Sequence, residues 1–412
     1  MGALGKRKVL LIGAGGFGRN HFNELNRLQT EGLLEFAAVS DVRIPDAAMS
    51  VIREKGIRHY GDYEDMLAGE KGADIVIVST PISFHAQMSI DAMEAGYHVL
   101  LEKPPGATIQ EVDRIVEAAQ RTGKKCAVNF MTPSSKAQRT IADTVASGAI
   151  GEVKRIKGLS ILLRTEAYFH RTPWAGKLSV NGNLVLDGSF HNPAAHLLYS
   201  MVNLAQLLSG VGTGRAAEPV RVTAEMYHAS AIESDDTTAM RVEMSDGTEL
   251  TFYVTLCARE IEPQRIRIEG THGALEWDYA NQVTVYADGE ERVHDCGEGT
   301  LLERRYRNLI QSLDGLDERL DVSIESARLF TLVANGAFES AGRIKPIPAA
   351  HIRRPTAEGE PAAYIEGIET AIREAFHSGR LFAEMGVPWA EPTEPFELRD
   401  YRTFPQRFRF EL

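Results

Sequence analysis

Residues 8–19 read Lys-Val-Leu-Leu-Ile-Gly-Ala-Gly-Gly-Phe-Gly-Arg. The apolar run Val9 to Ile12 passes straight into Gly13-Ala14-Gly15-Gly16-Phe17-Gly18. Such a run suits a strand buried on both faces, and Phe17 to Leu28 continue with helical periodicity. The G-x-G-x-x-G spacing is weak evidence alone; placed between a strand and a helix it predicts a dinucleotide turn. Gly13 permits the tight turn, Gly15 lets backbone approach a pyrophosphate, and Gly18 lets helix pack on strand. Gly16 and Phe17 complete a turn whose following helix offers free N–H groups and partial positive charge to an anion.

The second strand (Phe36 to Ser40) ends at Asp41, 23 residues after Gly18. A carboxylate there accepts hydrogen bonds from the adenosine ribose hydroxyls and repels a 2′-phosphate, so NAD is expected. Arg43 lies two residues on and suits a 2′-phosphate, which keeps NADP open.

Outward from this turn, strand and helix alternate to about residue 130. Pro45 to Glu54, Phe84 to Ala95 and Gln110 to Arg121 read as helices. Ile75 to Ser79, Val99 to Leu101 and Lys125 to Phe130 read as strands. This alternation predicts a doubly wound parallel sheet. Ser79-Thr80-Pro81, followed by His85, and Glu102-Lys103-Pro104 fall at carboxyl ends of predicted strands, where open α/β sheets bind ligands. Pro104 restricts Lys103 to extended backbone, and a cis bond is possible there.

Past residue 150 the strands lengthen: 153–163, 220–228, 238–244, 250–256, 266–269 and 283–287. Ser245-Asp246-Gly247 reads as a hairpin turn. Helices are expected at about 191–209, 301–314, 324–342 and 364–377. The fold class is therefore α/β, an N-terminal Rossmann sheet plus a C-terminal α+β domain with a largely antiparallel open sheet. Boundaries are set at 1–132, 133–345 and a C-terminal extension, 346–412. Trp389, Phe396, Phe404 and Phe408 predict that the extension packs on the body or a partner subunit.

The composition, 43% hydrophobic and 25% charged, is that of a soluble globular protein. The net charge of −12 and the lack of a basic tract argue against nucleic acid and anionic membrane as partners. No apolar run is long enough to span a bilayer, and the N-terminal one lacks a secretory pattern. Cys126, Cys257 and Cys296 are too scattered for a disulfide framework or a zinc ribbon, so a cytoplasmic protein without a metal site is expected.

The GAGGFG turn, STPISFH (79–85), LLEKP (100–104), LDGSFHNPAAHLL (186–198) and IRIEGTHGALEWD (266–278) together resemble the glucose–fructose oxidoreductase / inositol dehydrogenase family, Gfo/Idh/MocA. The resemblance covers about the first 345 residues. It implies hydride transfer between a nicotinamide cofactor and a secondary hydroxyl of a sugar, sugar acid, cyclitol or glycoside. It places catalytic roles on Lys103, Asp187 and His191, and cofactor contacts on the turn, Asp41, Arg43, Ser79, Thr80, Pro81, His85, Glu102 and Lys103. It also implies a homodimer or homotetramer, paired through the open sheet face. The family's usual Asp-x-Gly-x-His run is altered here, with Gly188 one place early and Ser189 in the glycine's position. Ala194 stands where many relatives carry an aspartate.

Asp187 and His191 are four apart and would share a helix face, or Asp187 would cap the following helix. A carboxylate beside an imidazole makes a better base. His191 is read as general acid/base and Lys103 as the group polarising the oxygen; the roles are exchangeable if burial lowers the lysine pKa. Arg164, Tyr168, Arg171 and Trp174, in RTEAYFHRTPWAGK (164–177), are read as substrate-side donors and stacking surfaces beside Lys103, Asp187 and His191. Asp235 and Asp236 are read as ordinary strand-end charges. Two other functions remain open. One is a redox-neutral glycoside-cleaving enzyme that recycles bound NAD. The other is a non-catalytic dinucleotide-binding regulator.

Overall fold

A computed structural model describes residues 6–210, 216–280, 282–297, 301–316, 319–357 and 359–410. Residues 1–5, where the N-terminal secretory reading begins, lie outside the described residues. The chain divides into two compact units, 1–134 with 300–328 and 135–299 with 329–412.

The first unit holds β1 (Arg7–Ile12), α1 (Gly18–Thr30), β2 (Leu34–Ser40), α2 (Asp46–Lys55), β3 (Arg58–Tyr60), α3 (Tyr63–Gly69), β4 (Ile75–Val78), α4 (Ile82–Glu94), β5 (His98–Leu101), α5 (Ile109–Thr122) and β6 (Cys126–Val128). The strands form one parallel sheet in the order β3-β2-β1-β4-β5-β6, the doubly wound arrangement. Register aligns Ile12 with Ser40 and Val78, Val78 with Leu101, and Leu101 with Val128. The residues after these strands therefore emerge along one edge: Gly13, Asp41, Ser79, Glu102 and Asn129. Val9, Leu11, Ile75, Ile77 and Leu100 are fully buried, as the unbroken apolar runs require. α5 opens on a capping box, Thr108 with Glu111.

The second unit begins with α6 (Lys136–Ala146), β7 (Val153–Leu163), the short α7 (Glu166–His170), a small hairpin of β8 (Ser179–Val180) and β9 (Asn183–Leu184), and α8 (Ala195–Ser209). Strands β10 (Pro219–His228), β11 (Thr237–Met244), β12 (Glu249–Thr255), β13 (Cys257–Gly270), β14 (Gly273–Trp277), β15 (Gln282–Ala287) and β16 (Glu290–Asp295) follow. The Ser245–Gly247 turn joins antiparallel β11 and β12, as read from the sequence. Sheet order is β16-β15-β14-β13-β7-β12-β11-β10, and the β7–β12 pair is parallel. β13 is much longer than the expected 266–269, because its bulged first half extends the pairing with β7.

Helix α9 (Leu301–Leu313) departs from the sequence boundaries. Its Tyr306, Leu309 and Ile310 join Val9, Leu11, Phe22 and Ile75 in the first unit's core. Residues 300–328 thus return to the first unit, where the boundary 133–345 had them in the second. An amphipathic helix goes where its apolar stripe is complementary, whatever its place in the chain. Helix α10 (Ile324–Ala341) has its first turn in the first unit and the rest in the second.

The extension, expected as a separate segment, belongs to the second unit. It adds short strands β17 (Lys345–Pro346), β18 (Ile352–Arg353), β19 (Thr356–Ala357), β20 (Glu360–Pro361) and β21 (Tyr364–Ile365), then α11 (Ile368–Ser378) and β22 (Phe396–Glu397). Ile365, Ile368, Ile372, Phe376, Phe382 and Trp389 pack on Leu159, Ile161, Tyr227, Ala239 and Tyr253 of the sheet. On the opposite face, Gly158 gives room to Met201 of α8. The centre of this sheet is therefore covered on both sides by its own chain, and the open face expected to drive pairing is filled there. Trp389, Phe396, Phe404 and Phe408 are all buried on the body.

Candidate functional site

In the first unit the glycine turn separates into closed and open positions. A Cβ on Gly13 would overlap the Ser79 carbonyl, and one on Gly18 would overlap the Gly13 carbonyl. Around Gly15 and Gly16 a Cβ would meet nothing within 4 Å. The turn is thus packed tight where strand meets helix and left open where a pyrophosphate would lie. Phe17, 40% exposed, precedes α1, which has no side-chain cap. The residues fit a dinucleotide phosphate group. The Asp41 carboxylate sits against this turn, accepting from Ala14 N–H at 2.7 Å and Arg43 N–H at 2.9 Å. It is partly exposed, and the Arg43 residue is exposed.

His85 is buried. Its Nδ1 lies 2.8 Å from the Pro104 carbonyl and its Nε2 2.8 Å from the Thr80 carbonyl. The imidazole lies between the Ser79–Pro81 loop and the Glu102–Pro104 turn, and the single N–H of the neutral ring can donate to one of the two carbonyls. The Lys103–Pro104 bond is cis. Burial holds the His85 pKa below its usual value.

Glu102 faces inward as well. His21 Nε2 lies 2.7 Å from its Oε1, Asn129 Nδ2 donates to the same oxygen, and Tyr306 OH lies 2.6 Å from His21 Nδ1. Burial alone would raise the Glu102 carboxyl; the His21 and Asn129 hydrogen bonds and the nearby Lys103 cation hold it below the usual range. This network fixes the strand end from which half-buried Lys103 departs. His21 and Tyr306 were not read as site residues, because only folding brings α1 and α9 to that strand end.

In the second unit, Asp187 and His191 stand on successive turns rather than on a helix face. α8 starts only at Ala195, and its N-cap is Ala194 with no side-chain cap. Asp187 is therefore not the cap. Leu186 takes φ +49°, and Pro193, lacking an N–H, interrupts the segment before the helix. Asp187 Oδ2 accepts from Gly176 N–H at 2.8 Å, and Oδ1 from Asn192 Nδ2 at 3.0 Å. His191, 1% exposed, is ringed by Phe190, Phe330 and Phe338, with centroids 5.6–6.3 Å away.

The 164–177 segment gathers beside Asp187. The Arg171 guanidinium lies 3.7 Å from the Tyr168 ring centroid and 5.1 Å from that of Trp174. Arg164 stands 4.9 Å from the Tyr168 centroid. Arg171 approaches Asp187 Oδ2 at 3.8 Å. The four proposed substrate-side residues thus form one cluster, an aromatic surface flanked by cations. Asp235, read as a strand-end charge, is instead fully buried behind the Asp187 turn.

Residues 7–130 match the family model for the NAD-binding Rossmann fold of the GFO_IDH_MocA oxidoreductases, and residues 138–276 match the GFO/IDH/MocA C-terminal domain. The chain belongs to the Gfo/Idh/MocA oxidoreductase family. An uncharacterized oxidoreductase, ORF334, of Rhizobium meliloti is 32% identical over 75% of this chain and 91% of its own length. Other relatives match less. A glycosyl hydrolase family 109 protein of Shewanella sp. (strain W3-18-1) is 32% identical over 41% of this chain and 36% of its own. The inositol 2-dehydrogenase of Corynebacterium glutamicum (strain ATCC 13032) is 29% identical over 45% of this chain and 51% of its own. Among solved structures, the WlbA dehydrogenase from Bordetella pertussis in complex with NADH and UDP-GlcNAcA superposes with a TM-score of 0.68. That match is 23% identical and covers 82% of this chain and 96% of that one. The first unit of this family member is an NAD-binding Rossmann domain. Among the described residues no helix is long and apolar enough to cross a membrane.

Proposed function

We propose that this oxidoreductase oxidises a secondary hydroxyl of a sugar, sugar acid, cyclitol or glycoside, or runs the reverse reduction. The observation that carries this reading is the divided glycine turn, closed at Gly13 and Gly18 and open at Gly15 and Gly16, with Asp41 against it. Bound NAD supplies a hydride acceptor. The alcohol carbon would give up a hydride and its hydroxyl a proton to a side chain, so that two electrons and two protons leave the alcohol in all. Lys103, half-buried on a fixed turn, polarises the oxygen and stabilises developing negative charge. His191 exchanges the proton. Asp187 holds the turn that carries it, and Arg164, Tyr168, Arg171 and Trp174 bind the substrate.

His191 exposes almost no surface, so a structure with a bound polyol tests its contact first. In solution the test is a polyol panel followed at the nicotinamide absorbance. K103A and H191A should each lower turnover by about 10²–10⁴-fold; full activity in both removes the assignment. NAD binding without turnover across the panel would favour a regulator.

The partial similarity to a glycosyl hydrolase family 109 protein favours one second reading, redox-neutral cleavage of a glycoside with recycled NAD. Glycoside breakdown that proceeds without stoichiometric NADH would select it. Dimers or tetramers through the central sheet face require residues 347–390 to be displaced. Sedimentation of the intact chain tests this.

A further inference from the structure

Asp235 lies two residues before β11, and neither side of the proposed chemistry uses it. It is fully buried, as are Ser189, Ser234 and Thr238 around it. Ser189 closes onto it three ways. Its N–H reaches the Asp235 carbonyl at 3.0 Å and Oδ2 at 3.2 Å, and its hydroxyl donates to the same Oδ2. Thr238 Oγ1 donates to Oδ2 at 2.8 Å, and Ser234 Oγ lies 3.4 Å from Oδ1. The other oxygen fills the space beside Gly188: a Cβ there would overlap Asp235 Oδ1 and crowd Ser234 Oγ. Gly188 and Ser189 thus face one carboxylate: the glycine leaves room for it, and the serine supplies it with a donor.

We infer that Asp235 is a positioning residue, whose carboxylate fixes the Gly188–Ser189 turn and thereby the placement of Asp187 and His191 on either side. Burial, opposed by the donated hydrogen bonds, pushes its carboxyl up to about 6. A buried carboxylate that accepts this many hydrogen bonds holds the turn around it in one geometry. A misplacement of about 1 Å in a reacting group costs on the order of 10²-fold in rate.

The inference rests on the proposed dehydrogenase reading, so its test carries a readout that needs no substrate. His191 ring signals are recorded by NMR in labelled, full-length wild type, D235N and S189A, each with NAD. D235N should move those signals and lower kcat about 10²-fold, with the Kd for NAD unchanged. S189A, which loses one donor, should move them less and lower kcat several-fold. Should D235N not fold, S189A alone decides. Unmoved ring signals and wild-type kcat in a folded variant overturn the inference. If no alcohol is turned over by wild type, the dehydrogenase reading fails, and the ring signals still decide the role of Asp235.

Discussion

Glu339 on α10 anchors the C-terminal tail through Tyr401, whose hydroxyl donates to Glu339 Oε1 at 2.6 Å. The backbone N–H groups of Gln406, Arg407 and Phe408 close on the same carboxylate at 2.5–2.8 Å. Glu339 is 1% exposed. Its neighbour Phe338 packs on His191 on one side and on Phe404 and Phe408 on the other. The tail therefore buttresses the wall around a proposed catalytic side chain. E339Q replaces one acceptor oxygen by a donor facing N–H groups, and should cost about 2–3 kcal/mol. Chemical denaturation of the full chain reads this. E339Q should also lower kcat, through Phe338; a stability loss with wild-type kcat would separate the tail from the site.

The glycine turn makes a paired prediction. G15A introduces a methyl group where nothing stands within 4 Å. Unfolding free energy should stay within about 0.5 kcal/mol of wild type, while the NAD Kd rises about tenfold, a loss of about 1.4 kcal/mol. G13A differs, because Gly13 takes φ +88° and its Cβ would overlap the Ser79 carbonyl. It should destabilise the protein by more than about 1 kcal/mol. Calorimetric titration and denaturation of the two variants give both numbers.

Asp41 should decide between the two dinucleotides. D41A removes the acceptor for Ala14 N–H and the negative charge beside the turn. NAD affinity should fall about tenfold, as expected for one or two charged hydrogen bonds. NADP should gain relative to NAD, since Arg43 remains and the repulsion is gone. Competitive binding of the two cofactors measures the ratio. An unchanged ratio would mean that Asp41 serves the turn alone.

Local patterns in the sequence revealed the first unit and missed what depends on distant contacts. The parallel sheet, the glycine turn and the place of Asp41 follow from β-branched runs and glycine spacing, both short-range signals, whereas short β3 and α3 left no such signal. Tyr306 and the segment around it return to the first core from about 300 residues away, and no periodicity encodes a destination. Asp187 and His191 were spaced for a helix, but Leu186 at positive φ and Pro193 make successive turns there instead. Asp235 looked like any acid between a serine and a strand; only the folded chain sets its carboxylate against Gly188. The buried aromatics of the tail were legible as residues needing cover, though not that the extension would itself fill the centre of the sheet face.

Glu225 of β10 supplies a test in pH. It is 1% exposed, and both carboxylate oxygens lie 3.2 Å from Ala383 N–H in the extension. Burial, with Glu384 nearby, pushes its carboxyl from 4.5 up to about 7, against the pull of Ala383 N–H and Lys345. Between those values the native chain holds a proton that the unfolded chain has released. Stability from this group is therefore greatest below about pH 4.5, declines as pH rises towards 7, and stays reduced above it. The span corresponds to about 3 kcal/mol. E225Q keeps an acceptor for Ala383 N–H and cannot ionise, so its stability should decline less across this window by about that amount. Denaturant titrations of wild type and E225Q at pH 4, 5, 6, 7 and 8 read the difference directly. Parallel curves for the two proteins would show that Glu225 ionises normally and that the extension lies looser on β10 than the 3.2 Å contacts indicate.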